Sequence, residues 1–575
     1  MSAINEVEDN EKNHPLAEEP KDLEKYNSKK IKLLYLITVG AVLLIVILVA
    51  IIVIFIGGKN KNSENKKDKD ILDSYFELIY DITNDDQGTK LFNENFVDKI
   101  SLMIIDNTTV NISNIYQFDG IGKHKVIIEI FKNIESTEEM FIDINNLISI
   151  NFDNFKSENL KSISGMFYGC KSLTSLNLTS FNAKKVTNMS HLFYGCTSLN
   201  NIILDNLNTS NVIDMKYMFS GCKSVISLDL KSFNTKKLKE IKYMFNGCNK
   251  LINLEIEDNF VISGIYYISG LFNDCYSLSK INITNFDTSE TRNMSSLFQR
   301  CSKLTSIDLS KFNTRKVVDM SKMFSCCFEL TSIDLTNFNT ENVEDMHEIF
   351  ATCTLIKELN LKNFKTSKVK NMDSMFYNLI SLESLDLHSF DTSQVTTMNS
   401  MFDLLYLIKE LDLSNFDTNK VTDMGYMFAG SHSLTSINLS RFNTKNVKNM
   451  KNMFYGDKSL INIDFSSFDT SNLINMAYMF YGCNSLTSLD LSHFDTSKVF
   501  SFTGIFAYCH NLTYVDISGF NSQSFIINNF NNFFFDERRV NGNVYYNSKI
   551  FDKELLNIIF GDWEKIDIKD DNLLF

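Results

Sequence analysis

A short sequence repeat of nearly constant length is the feature that most restricts what this chain can fold into. The pair Met166-Phe167 recurs along the chain in steps of 26, with one step of 27 between Phe245 and Phe272. There are fourteen copies of this pair, and the phenylalanines at its second position are Phe167, Phe193, Phe219, Phe245, Phe272, Phe298, Phe324, Phe350, Phe376, Phe402, Phe428, Phe454, Phe480 and Phe506. One copy alone buries too little apolar surface to offset the conformational entropy lost on ordering it, so the copies must stack. The sequence therefore predicts a repeat solenoid over 161–521.

Each copy combines two different spacings. The first copy reads Leu173-x-x-Leu176-x-Leu178-x-x-Phe181, then Val186-x-x-Met189-x-x-Leu192-Phe193 and Cys196. The Leu-x-Leu alternation places Leu176 and Leu178 on the same side of a strand. The spacing of three that follows suits a helical or 3₁₀ return segment, or a second short strand with a tight turn. The predicted fold class is a leucine-rich-repeat-like solenoid of parallel β-strands.

Three stretches of the repeat resemble a known family. They read MFYGCKSLTSLNLTSFNAKKVTNM (166–189), SLESLDLHSFDTSQVTTM (381–398) and MFYGCNSLTSLDLSHFDTSKV (479–499). This repeat is similar to that of the BspA-like leucine-rich-repeat surface proteins. The resemblance implies a solenoid that is displayed on a cell surface and used for adhesion or protein binding.

The residues before the repeat indicate a membrane anchor. The segment Leu33–Ile56 has 24 residues without a charge, and a helix of that length spans roughly 36 Å, enough for a bilayer core of about 30 Å. A cleaved signal peptide would have a shorter apolar region nearer the start. The predicted organisation is a disordered tail (1–32), a transmembrane helix (33–56), a charged linker (57–70), a small β-rich capping module (71–160), the solenoid, and a C-terminal cap (522–575).

Charge alone does not orient this span, because five lysines lie on each side of it. We expect the N-terminus in the cytoplasm and the long repeat domain outside, as the resemblance implies. An intracellular repeat scaffold and a passive surface-layer or stalk protein are the alternatives. A net charge of −14 argues against a nucleic-acid partner.

The sequence lacks the common motifs of catalytic and nucleotide-binding sites. It contains no H-E-x-x-H, G-x-S-x-G or P-loop pattern. Ten of the eleven cysteines fall three residues after the repeat phenylalanine, and Leu379 and Leu405 occupy the same slot. That substitution indicates a column of free, buried thiols. The sequence predicts a protein that is not an enzyme and that needs no cofactor or metal.

The residue between the two strand leucines is expected to point outward. Eight of its fourteen positions are aspartates: Asp229, Asp308, Asp334, Asp386, Asp412, Asp464, Asp490 and Asp516. Solvated strand residues that only aid solubility are one interpretation of this Asp column, and calcium bridging between copies is another. The functional prediction is a strip that binds a protein or another extended surface ligand, whose identity the sequence does not give.

Overall fold

The computed structural model describes residues 72–84, 88–131, 133–521, 543–546, 556–557 and 563–567. The predicted tail, transmembrane helix and linker all lie outside these residues. Within the described part of the chain, no helix combines the length and the apolar character needed to cross a membrane.

An antiparallel sheet precedes the solenoid, as the predicted β-rich module requires. The strands are β1 (Tyr75–Ile82), β2 (Thr89–Lys90), β3 (Ile100–Ile105), β4 (Thr108–Val110), β5 (Ile115–Tyr116), β6 (Gly122–Ile130) and β7 (Leu147–Asn151), with a 3₁₀ helix over Glu94–Lys99. Five of them form one sheet in the order β4-β3-β6-β1-β7, and β2 pairs with β5. Alternate residues of β1, such as Phe76, Leu78 and Tyr80, are buried.

The solenoid is built from parallel turns, each of which we call a rung. Leu-x-Leu strands pair in parallel at its two ends. They are β8 (Ser175–Asn177) with β9 (Asn201–Ile203), β10 (Ser227–Asp229) with β11 (Asn253–Glu255), and β12 (Ser488–Asp490) with β13 (Tyr514–Asp516). Between 256 and 487, where the structure describes every residue, the predicted strands are absent. The inward alternation persists there, because leucines such as Leu309 and Leu335 remain buried.

The return segment, which contains the Met-Phe pair, connects the rungs along the solenoid. Gly165, Phe167 and Gly169 donate their backbone N–H groups to the next rung at 2.7–3.0 Å, while Met166 and Tyr168 close turns within their own rung. Isolated parallel bridges connect successive rungs from Ser136 to Glu240 and again from Tyr267 to Ser501. The break between these two runs falls at the one longer step of the repeat. The return segment is therefore a series of tight turns, and single parallel bridges between its copies form a second line of backbone pairing. The predicted alternative of a helical return segment is wrong.

The stack of phenylalanines begins one rung before the fourteen copies counted in the sequence. Phe141 stacks on Phe167 with ring centroids 5.8 Å apart, and Ser136 bridges Ser162. In this rung the strand position is taken by β7, whose Ile148 carbonyl accepts the N–H of Thr174. The predicted cap over 71–160 thus contains a complete rung.

Two further strands extend the parallel sheet beyond β13. They are β14 (Asn543–Tyr546) and β15 (Glu564–Asp567), and they follow β13 in the order β12-β13-β14-β15. Both lie in the segment predicted as the C-terminal cap. Because β14 pairs with β13, it covers the edge of the last copy of the repeat.

Aromatic and hydroxyl columns fill the interior. Fifteen repeat phenylalanines, from Phe141 to Phe506, form fourteen successive stacked pairs with centroids 5.4–6.3 Å apart. A buried threonine column joins neighbouring rungs. For example, the Thr314 hydroxyl donates to the Asn339 carbonyl at 2.9 Å and accepts the N–H of the same residue at 2.8 Å. Thr288, Thr340 and Thr366 fill both bonding roles of the hydroxyl group in the same way.

A strained slot in the return segment gives a stability prediction. Thr352 has φ of 62°, in the left-handed region, and seven other rungs carry glycine in this slot. Left-handed backbone is costly for a β-branched residue. We expect Thr352→Gly to raise the free energy of unfolding by about 0.5–1 kcal/mol, measured by urea denaturation. Thr331→Gly, at a position with ordinary φ, should be neutral or destabilising, and a loss of stability in Thr352→Gly would contradict the strain argument.

Candidate binding surfaces

The Asp column has a structural role that the sequence analysis did not foresee. In all eight aspartates, Oδ1 accepts the backbone N–H of the residue two positions later, at 2.8–3.1 Å. Asn177, Asn282 and Asn438 make the same bond in their rungs. These are Asx turns, which need only the side-chain oxygen that Asp and Asn share. The exchange of Asp for Asn along the column follows from this turn.

The turn also stabilises the charged form of these carboxylates. The Ser310 hydroxyl and backbone N–H lower the pKa of Asp308, and the corresponding groups of Thr336 lower the pKa of Asp334. A carboxylate that accepts hydrogen bonds is more stable than its protonated form. The pKa values of Asp386, Asp412 and Asp464 are lowered by hydrogen bonds to the residue two positions later in the same way.

Asp516 differs from the other seven aspartates. Its side chain is buried, at 7% exposure, because Tyr545 of β14 pairs beside it. Burial raises the pKa of Asp516. The strip available to solvent consists of the remaining seven, all of them exposed: Asp229, Asp308, Asp334, Asp386, Asp412, Asp464 and Asp490.

A histidine joins two members of the strip. His388 Nδ1 lies 2.7 Å from Asp386 Oδ1, and its Nε2 lies 3.4 Å from Asp412 Oδ2. Hydrogen bonding to Asp386 and the two negative charges raise the pKa of His388. A hollow of about 830 Å³ opens here, and its lining includes these three side chains together with Lys409 and Glu410.

The cysteine column is a set of free thiols, as the sequence predicts. All eleven cysteines are free, and every one except Cys326 is buried. Each of the ten column thiols donates through Sγ to the carbonyl of a repeat phenylalanine in the preceding rung, at 2.9–3.2 Å. Ser431 makes the equivalent bond to Phe402 at 3.1 Å. Eleven rungs thus place a small donor in this slot, Leu379 and Leu405 fill it with an apolar side chain, and Asp457 fills it with a buried carboxyl group.

An aromatic cleft lies on the side of the return segments. It has a volume of about 760 Å³, and its lining includes six tyrosines, Tyr406, Tyr426, Tyr455, Tyr478, Tyr481 and Tyr508. Tyr455 and Tyr481 stack with centroids 4.6 Å apart and planes within 4°, and Tyr406 stacks on His432 at the same distance. This cleft was not predicted from the sequence, in which the repeat was taken as uniform. The tyrosines that flank the Met-Phe pair in these rungs could have indicated it.

Six overlapping segments of the chain match one protein family, whose model is described as "Mycoplasma protein of unknown function, DUF285". They cover residues 77–176, 99–203, 161–281, 250–359, 344–459 and 433–548. The chain belongs to the DUF285 family. The matched residues include the antiparallel module as well as the rungs. No curated protein matches the chain.

Among solved structures, the chain is similar to three repeat proteins. A leucine-rich repeat protein from Bacteroides ovatus is 14% identical, with 77% of this chain and 94% of that chain covered and a TM-score of 0.34. TLR13, in a complex with ssRNA13, is 16% identical, with 63% and 49% covered and a TM-score of 0.22. The pneumococcal vaccine antigen PcpA is 15% identical, with 72% and 80% covered and a TM-score of 0.25.

Proposed function

We propose that this DUF285 protein is a membrane-anchored repeat scaffold of the BspA-like surface type, which binds an extended partner and catalyses no reaction. The observation that carries this proposal is the register of the Asp column. Seven exposed carboxylates lie at the same position of parallel rungs, one to three rungs apart, so the solenoid repeats one carboxylate along its length. Repeated weak contacts suit an extended, basic or multivalent partner, because avidity then replaces single-site affinity.

Binding by the strip can be tested with substitutions that preserve the fold. The triple variant Asp386→Asn, Asp412→Asn and Asp464→Asn keeps the Asx turns, since asparagine fills this slot in other rungs. We expect it to bind a poly-lysine peptide more weakly than the wild type does, with less dependence on salt, because three contacts of an electrostatic surface are removed. The measurement is a titration of full-length protein in detergent at several salt concentrations.

A matched control lies in the same rungs. Asp391, Asp417 and Asp469 form a second column of Asx turns at 2.9–3.0 Å. Changing these three residues to Asn alters the net charge by the same amount as the strip variant does, at positions five residues further along each rung. Equal weakening in both triple variants would mean that net charge alone attracts the peptide, and would contradict a binding strip.

The anchor and its orientation are tested separately. Deletion of residues 31–57 should move the chain from the membrane fraction to the soluble fraction, because that segment holds the long apolar stretch. Orientation is tested on the full-length protein, in which protease added to intact cells should digest the repeat domain. A deletion variant that still sediments with membranes would contradict the anchor, and a protected repeat domain would favour the intracellular scaffold.

A further inference from the structure

The aromatic cleft extends over several rungs in the C-terminal half of the solenoid. Its lining runs from Asp403 to Tyr508, and so across five successive rungs. The tyrosines lie on both sides of the Met-Phe pair, for example Tyr478 before it and Tyr481 after it. Rungs between 296 and 400 carry Ser, Lys or Glu in the slot of Tyr478. Tyrosines are thus missing from this slot in the middle rungs, although Tyr217 and Tyr243 occupy it near the start of the solenoid.

We propose that this cleft binds a neutral oligosaccharide, with sugar rings packed against the tyrosine faces. The proposal concerns a different surface from the Asp strip. Tyr455 and Tyr508 are 37% and 38% exposed, so flat aromatic area is available to a ligand. A sugar ring combines an apolar C–H face, which packs on an aromatic ring, with a rim of hydroxyl groups. Tyrosine matches both parts, since it has an apolar body and a polar tip.

A buried amide in the lining points to a missing hydrogen-bond donor. Asn452 is 7% exposed and contributes to the cleft, and its side-chain Oδ1 has no hydrogen-bond partner. An unsatisfied buried acceptor costs about 1–3 kcal/mol, and such groups are rare in folded proteins. A ligand hydroxyl would supply the donor. Asn452 is therefore the polar group that we expect to orient the sugar, as polar groups do in largely apolar sites.

The charges around the cleft favour a neutral ligand over a cationic one. The Lys451 ammonium lies 5.9 Å from the centre of the Tyr426 ring, where it occupies an aromatic face that a cation would need. Burial raises the pKa of Asp403 to about 7, so that this carboxyl is largely protonated in mildly acidic solution. Burial also lowers the pKa of His432, which keeps that ring neutral.

The same charges disfavour a nucleic acid. Binding of a single strand combines aromatic stacking with a positive groove along the phosphates. Here Lys451 is the one Lys or Arg side chain in the lining, and the protein carries a net charge of −14. The aromatic platform is present, but the charge that phosphates need is not.

The test is a calorimetric titration of the full-length protein in detergent with three neutral probes: cellohexaose, maltohexaose and chitohexaose. We expect at least one of them to bind, and the double variant Tyr455→Ala with Tyr481→Ala to weaken that binding by about tenfold or more. The matched control is Tyr168→Ala with Tyr194→Ala, since this pair has the same 4.6 Å stack in the same column but lies outside the cleft. The control variant should bind like the wild type.

A second variant separates ligand binding from folding. Asn452→Gly removes the unpaired acceptor and suits the left-handed backbone at this position, where φ is 58°, so it should leave the thermal midpoint unchanged or raise it while it weakens sugar binding. The proposal is overturned if none of the three hexasaccharides binds at millimolar concentration, or if binding survives both the tyrosine and the Asn452 changes. It is equally overturned if a trimethyllysine peptide or oligouridine binds in the cleft and the sugars do not.

Discussion

Truncation of one phenylalanine in the middle of the solenoid, Phe324→Ala, should lower the free energy of unfolding by about 3–5 kcal/mol. Phe324 is fully buried, and its ring stacks on Phe298 at 5.8 Å and on Phe350 at 6.2 Å. A cavity there removes contacts with both neighbouring rungs. Because each rung is stable only through its neighbours, the loss weakens the array on both sides of the change.

The comparison for this variant is Phe328→Ala, four residues away. Phe328 is 43% exposed, so its truncation should change stability by no more than about 0.5 kcal/mol. Urea unfolding followed by circular dichroism measures both variants. Similar losses in the two would mean that the phenylalanine column does not hold the rungs together.

The substitution Asp457→Cys should stabilise the protein by about 1–3 kcal/mol in mildly alkaline solution. Asp457 is fully buried in the cysteine column, and its Oδ2 has no hydrogen-bond partner. Its Oδ1 accepts the N–H of Ser431 at 2.8 Å, but that N–H also reaches the Phe428 carbonyl at 3.2 Å. Cysteine is the most frequent residue in this slot, and its thiol would donate to the preceding rung as the ten column cysteines do.

The pH dependence of this gain has a definite sign. Burial, and secondarily the nearby Asp403, raise the pKa of Asp457 well above 3.8 in the folded protein. A carboxyl with a raised folded pKa destabilises the fold increasingly as pH rises above its unfolded pKa. The advantage of Asp457→Cys should therefore be small near pH 4 and larger near pH 8. The exposed change Asp464→Asn should show no such increase, and a gain for Asp457→Cys that shrinks with pH would contradict this account.

Much of the architecture could be predicted from the sequence, because the repeat places each residue type in a fixed environment. The Phe, Met and Cys columns are buried as expected. The first rung was missed although Met140-Phe141 lies 26 residues before the first counted pair, because its strand reads Leu147-x-x-Ile150-x-Phe152, with Ile150 and Phe152 in place of the two strand leucines. The missing strands between 256 and 487 could not be predicted, since side-chain alternation does not determine whether neighbouring backbones come close enough to pair.

The candidate sites were harder to predict. Outward aspartates look the same in sequence whether they close a turn or bind a partner, and only the 2.8–3.1 Å contacts reveal the turn. The burial of Asp516 depends on β14, which lies well beyond β13 in the chain and does not follow the repeat. The cleft depends on which tyrosines stack across rungs. Such contacts between rungs are lost when each copy is considered alone.

Residues 161–521 form one continuous parallel solenoid in which each copy of the repeat is one rung. Pulsed electron resonance can measure this arrangement between spin labels on unnatural residues at the exposed positions 308, 334, 412 and 490. Labels at 308 and 334 lie on adjacent rungs, those at 308 and 412 are four rungs apart, and those at 308 and 490 are seven rungs apart. We expect the distance between the labels to increase with every added rung. A 308–490 distance no longer than the 308–412 distance would mean that the copies do not stack as successive rungs.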